Sequence, residues 1–136
     1  MTLARLFAFV LLGSLLLAPR VAGAATPQRW LIVSDVHFDP FSDPRIVGRL
    51  NAAPVERWRG IFASTRTAAF SNYGSDTNYP LLESALQGMN REVSDPDVVI
   101  VAGDFLAHDF QKKFQAATKL QDEPSYEAFV DKTIAF

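Results

Sequence analysis

Apolar positions cluster into a few short patterns that predict the elements of this chain. Trp30-Leu31-Ile32-Val33 and Val98-Val99-Ile100-Val101-Ala102 are compact apolar runs, each ended by turn-forming residues. Runs of this length and β-branched content read as buried strands of a parallel sheet. The first predicted strand covers Arg29 to Ser34. Between the two runs, Asn78-Tyr79-Pro80 opens a helix reaching about Glu92, with Leu81, Leu82, Ala85, Leu86 and Met89 on one stripe. Glu83, Gln87 and Arg91 face away from that stripe. Strand, helix and strand in this order predict a βαβ unit with its strands side by side or nearly so. The loops opening at Asp35 and at Gly103-Asp104 then share one sheet edge.

The remaining pattern is weaker. Asp39 to Asn78 is irregular and rich in turn residues, except that Val55, Trp58, Ile61 and Phe62 fall at helical spacing behind Pro54. Gly60 weakens that helix. A connection this long inside a compact domain is uncommon unless it is functional, so it is expected to form a wall over a site. After Asp109 the chain is polar until Asp122-Glu123-Pro124-Ser125, a helix start with acidic residues at the favourable end. Tyr126, Phe129, Val130, Thr133 and Ile134 then line one face. The expected fold class is α/β: an incomplete sheet with flanking helices, made of a βαβ unit and one further helix.

The first residues change this picture. Arg5, the apolar stretch Leu6 to Leu17 and the small-residue pattern Ala22-Gly23-Ala24 read as a secretory signal peptide over residues 1–24. The stretch is shorter than the ~20 apolar residues that a spanning helix needs, so no membrane span is expected after cleavage. Residues 25–136 form the mature part, exported to a periplasm or secreted. Losing Arg5 and Arg20 takes 13 basic side chains to 11 against 15 acidic ones, a net of −4. That balance argues against a nucleic-acid-binding surface. There is no Cys, hence no disulfide framework.

The candidate chemistry sits at the shared edge. Both His residues of the chain, His37 and His108, follow the two strands together with Asp35 and Asp104. In open parallel sheets ligands collect beyond the carboxyl ends of the strands. Two carboxylates brought close there need compensation, for which a divalent cation is usual and His37 the natural nitrogen partner. An extended Asp35-Val36-His37 sends both side chains the same way. Each signal alone is common: Asp-x-His in solvated loops, Gly-Asp in turns, His108 as a surface histidine. Their joint occurrence behind two strands is the informative feature.

Ser34-Asp35-Val36-His37-Phe38-Asp39-Pro40, Tyr73-Gly74-Ser75-Asp76-Thr77-Asn78-Tyr79-Pro80-Leu81-Leu82 and Gly103-Asp104-Phe105-Leu106-Ala107-His108-Asp109 together resemble the calcineurin-like metallophosphoesterases. The likeness is to their acid-sphingomyelinase-like phosphodiesterase branch. It implies two divalent ions, zinc most often, with manganese or iron compatible. By motif, Asp35 and His37 bind the first ion, Asp104 bridges both, and His108 contacts the phosphate and helps the leaving group depart. The implied reaction is hydrolysis of a phosphodiester, small-molecule or lipid, by a hydroxide activated between the ions. The family's later Gly-Asn-His, His and Gly-His-x-His ligands are not in this sequence. The resemblance therefore implies the N-terminal portion of a metallophosphoesterase domain carrying half a site, expected to be inactive as given. The alternative is a truncated, catalytically inactive product that binds metal weakly or not at all.

Overall fold

β1 (Trp30–Ser34) and β2 (Val98–Ala102) pair in parallel, with Trp30 opposite Val98 and Ser34 opposite Ala102. This is a computed structural model, and it describes residues 26–136. The leader expected over residues 1–24 lies outside the described residues. The described residues are mixed α/β, with a two-stranded parallel sheet and five helices among them. The helices are α1 (Pro44–Ala52), α2 (Trp58–Ala63), α3 (Tyr79–Glu92), α4 (Phe110–Thr118) and α5 (Glu123–Ala135), with a 3₁₀ turn at Val55–Arg57 ahead of α2. No helix among the described residues is long and apolar enough to cross a membrane.

The expected strands, the helix after Asn78 and the helix after Asp122 are all present, and their caps explain where the two helices begin. Asn78 accepts from the Leu81 N–H at 3.2 Å, and Asp122 accepts from the Ser125 N–H at 3.0 Å. Each side chain satisfies a donor that the first helical turn leaves free. Ile134, expected on the buried face of α5, is exposed, whereas Phe129 and Thr133 are buried.

Two helices were not expected. In α1, Asp43 caps the Arg45 N–H at 3.1 Å and Pro44 takes the first helical position. Ile46, Val47 and Leu50 then face inward. Asp43-Pro44 fits a turn by composition, but here the two residues serve as a cap and a helix start. In α4 the polar run Gln111-Lys112-Lys113 conceals Phe110 and Phe114, which lie one turn apart and are both buried.

These helices relocate the core. The long connection expected to wall a site also supplies Trp58, Leu50 and Val47, all fully buried. The core is an aromatic cluster: Trp58 packs on Phe129 at 5.3 Å between ring centroids, Phe114 on Phe129 at 5.3 Å, and Phe41 on Phe110 at 4.8 Å. The buried Trp58 indole N–H donates to the Leu50 carbonyl at 3.0 Å, joining α2 to the end of α1. Lys132 reaches across from α5 to the Asn51 carbonyl at 2.7 Å.

The strands, by contrast, are not buried as expected. The α3 stripe and Leu31, Val33, Val99 and Val101 of one sheet face border an open apolar groove of about 310 Å³, and Val99 and Val101 remain exposed. The opposite face is uncovered, leaving Ile32 65% and Trp30 53% exposed. Strand alternation distributes these residues between the two faces, and only one face meets a helix among the described residues.

Candidate functional site

The site is built where the chain leaves β1 and β2. Asp35 N–H donates to the Ala102 carbonyl at 3.1 Å and His37 N–H to the Asp104 carbonyl at 3.0 Å. Phe38 N–H then donates to the Phe105 carbonyl at 2.8 Å, and Ala107 N–H returns to the Phe38 carbonyl at 3.2 Å. The two loops are thus zipped together beyond the sheet. A third segment joins on the other side: Thr77 N–H donates to the His37 carbonyl at 2.9 Å and Asp39 N–H to the Thr77 carbonyl at 2.8 Å. Phe38 is the pivot, bridged to both Thr77 and Leu106 and almost wholly buried. Its ring packs into the core against Phe62 at 5.8 Å.

The backbone at the loop starts is unusual. Asp35 and His37 both adopt left-handed conformations, with φ of 54° and 44°, and Gly103 has φ of 77°. Asp and His are among the few non-glycine residues that enter this region with any frequency. The extended geometry expected for Asp35-Val36-His37 is therefore replaced by two tight bends. Gly103 is required for a second reason. A Cβ at that position would lie 2.5 Å from Asp35 Oδ1 and 3.1 Å from the Asp35 nitrogen.

The sequence-selected residues are distributed as follows. The His37 and His108 rings stack with centroids 4.6 Å apart and planes within 5° of parallel. Asp35 lies against Gly103, and the Asp104 carbonyl is tied to His37. The carboxylate-bearing residues Asp35 and Asp104 are both exposed to solvent. His37 Nδ1 is buried without a hydrogen-bond partner among the described residues. The tightest three-donor grouping among the described residues is His37, Asp76 and His108, whose donor atoms lie within 4.8 Å of one another. Asp35 and Asp104 stand outside it.

Asp76 had no role in the sequence reading. It accepts from the His108 ring Nδ1 at 2.6 Å and from the His108 backbone N–H at 3.2 Å, both through Oδ1. Oδ2 accepts from Lys113 Nζ at 2.6 Å, and Lys113 also donates to Asp39 Oδ2 at 3.0 Å. Burial alone would raise the Asp76 carboxyl, but the hydrogen bonds from Lys113 and His108 outweigh it and hold the group at about 2. Burial would likewise lower the Lys113 ammonium, and its bonds to Asp76 and Asp39 reverse that into a raised value. Lys113 escaped notice because it lies in α4, which the pattern did not predict. The turn at Gly74, with φ of 80°, lies two residues before Asp76 and was the available signal for it.

One carboxylate and two imidazoles lie within this grouping, with Asp35 and Asp104 on the loops beside it, and these are donor types that a borderline divalent cation takes. They also suit proton exchange at His108, the most exposed member of the group, whose side chain is 76% accessible. Comparison with family models, with curated proteins and with solved structures gave no match.

Proposed function

We propose that this chain contributes to a metal-dependent phosphodiesterase centre of the calcineurin-like kind. Asp35, His37 and Asp104 are the proposed metal-binding residues, and His108 is the residue that meets the phosphate. The observation that carries this reading is the in-register parallel pairing of β1 and β2, continued by the His37 to Asp104 backbone bond. It delivers Asp35, His37 and Asp104 to one edge, the position at which open parallel sheets hold ligands.

The donor set fits divalent cations, zinc or else manganese or iron. An imidazole nitrogen lacks a partner among the described residues, and two exposed carboxylates leave the neighbouring strand end and its loop. A bound pair of ions supplies Lewis acidity and an activated water for attack on phosphorus. The chain's own residues do the rest. His108, held by Asp76 on one side and stacked on His37 on the other, donates a proton to the departing alkoxide. The substrate class is a small-molecule or lipid phosphodiester, and the setting is outside the cytoplasm.

Cobalt(II) titration followed by visible absorption tests this reading. Binding is expected in the unmodified chain and is expected to disappear in His37→Ala and Asp104→Ala. Two ions need more protein donors than Asp35, His37 and Asp104 provide. Bis-nitrophenyl phosphate is therefore expected to survive incubation with this chain and zinc. Metal binding indifferent to both substitutions would overturn the proposal and favour a non-catalytic role.

A further inference from the structure

Asp76 lies at the meeting point of two elements that the proposed reaction does not otherwise connect. Its Oδ2 is occupied by Lys113, which in turn is anchored on Asp39. Its Oδ1 receives both the ring Nδ1 and the backbone N–H of His108. With Lys113 neutralising it and both oxygens engaged, Asp76 is poorly placed to ligate a cation despite its closeness to His37. It is well placed to hold a ring. Which imidazole nitrogen carries the proton is set by the bond that the other one makes.

We propose that Asp76, clamped by Lys113, is a positioning residue for His108, fixing the orientation of its ring and keeping a proton on Nδ1. Nε2 is then the nitrogen turned away from Asp76 and free to exchange a proton with a ligand. His37 completes the clamp by closing one face of the ring. In the proposed hydrolysis the solvent-exposed ring acts from its imidazolium form, Nε2 having first taken a proton from water; that Nε2–H bond then breaks as a new O–H bond forms on the departing alkoxide. The electron pair stays on Nε2, and the ring is left neutral in the Nδ1–H form that Asp76 already accepts. The catalytic consequence rests on the phosphodiesterase reading; the ring geometry does not.

The ring is read directly by long-range ¹H–¹⁵N spectra of the histidine-labelled protein, recorded without metal at a pH where the rings are neutral. His108 is assigned by its absence in His108→Ala. The expected result is an Nδ1–H, Nε2-bare ring in the unmodified protein, shifting toward the Nε2–H form in Asp76→Asn. Lys113→Met, which leaves the Asp76 carboxylate in place but unclamped, is expected to give a smaller shift in the same direction. An Nε2–H ring in the unmodified protein overturns the proposal by itself, so it stays testable even where a variant fails to fold. Cobalt affinity is expected to change less than twofold in Asp76→Asn, and its abolition would make Asp76 a ligand and overturn the positioning role. These readouts need no turnover, so failure of the phosphodiesterase reading and failure of this one are separate results.

Discussion

His37 and His108 lie face to face, ring centroids 4.6 Å apart, although one follows β1 and the other β2. The contact is a consequence of strand pairing carried two residues past the sheet. The His37 N–H to Asp104 carbonyl bond sets the separation of the two loops, and the rings close over it. His37 Nδ1 is buried and unpartnered among the described residues, a state that costs free energy unless a ligand or proton offsets it. His37→Ala is therefore expected to weaken zinc or cobalt binding by more than the roughly 10- to 100-fold that loss of an outer-sphere partner costs. Isothermal titration checks it, and affinity within threefold of the unmodified chain would remove His37 from the metal site.

Gly103 separates steric from conformational effects. Its φ of 77° is strained for any L residue, and a Cβ there meets Asp35 side chain and backbone at 2.5 to 3.1 Å. Gly74 has a similar φ of 80° with nothing within 4 Å. Gly74→Ala is expected to cost about 1 kcal/mol for backbone strain alone. Gly103→Ala should cost about 3 kcal/mol, because the clash adds to the strain and Asp35 is fixed by its bond to Ala102. Chemical denaturation of both variants reads the difference. Equal losses would mean that Asp35 yields freely.

Asp76 predicts how acid acts on the fold. Its carboxyl is held at about 2 against an ordinary 3.8. A carboxyl depressed by folding contributes stability above its unfolded value, and that contribution is lost as pH falls through the folded value. The Asp76 contribution is thus complete above about pH 4 and fades toward pH 2. The shift corresponds to about 2 kcal/mol. Denaturation of metal-free protein between pH 5 and pH 2 should show this decline, and Asp76→Asn should flatten it. A decline of the same size in Asp76→Asn would assign the acid sensitivity to other carboxylates.

The sequence carries legible local signals wherever one element has its own pattern. Both strands have dense β-branched runs, and α3 and α5 announce themselves through Asn78 and Asp122 caps. α1 and α4 were hidden for opposite reasons. Asp43-Pro44 fits a turn as well as a cap, and Lys112-Lys113 masks the spacing of Phe110 and Phe114. Missing them displaced the core from the aromatic helices to the sheet. The site followed the same division. Asp35, His37, Asp104 and His108 lie beyond one sheet edge as expected, because each follows a strand within a few residues. Asp76 and Lys113 could not be placed this way, since their meeting depends on Phe38 drawing the Thr77 segment alongside and on a helix that was not foreseen. Long-range pairing of that kind leaves no periodic trace.

The relocated core makes its own prediction. Phe129 is fully buried against Trp58, Phe114 and Phe41, so truncating it leaves a cavity with little freedom to collapse. Phe129→Ala is expected to cost about 3 to 5 kcal/mol. Ile32, in the middle of β1, is 65% exposed, and Ile32→Ala should cost less than about 1 kcal/mol because most of its surface never leaves water. A sheet-centred core would reverse the order, with Ile32→Ala the more damaging. Comparing denaturation midpoints of the two variants decides between these arrangements. It bears on the site too, because Phe41 links Phe129 to the segment holding Asp39, the outer anchor of Lys113. Loosening that aromatic cluster should therefore disturb the His108 ring before it disturbs Asp35, whose fixed bond runs through the strand ends alone.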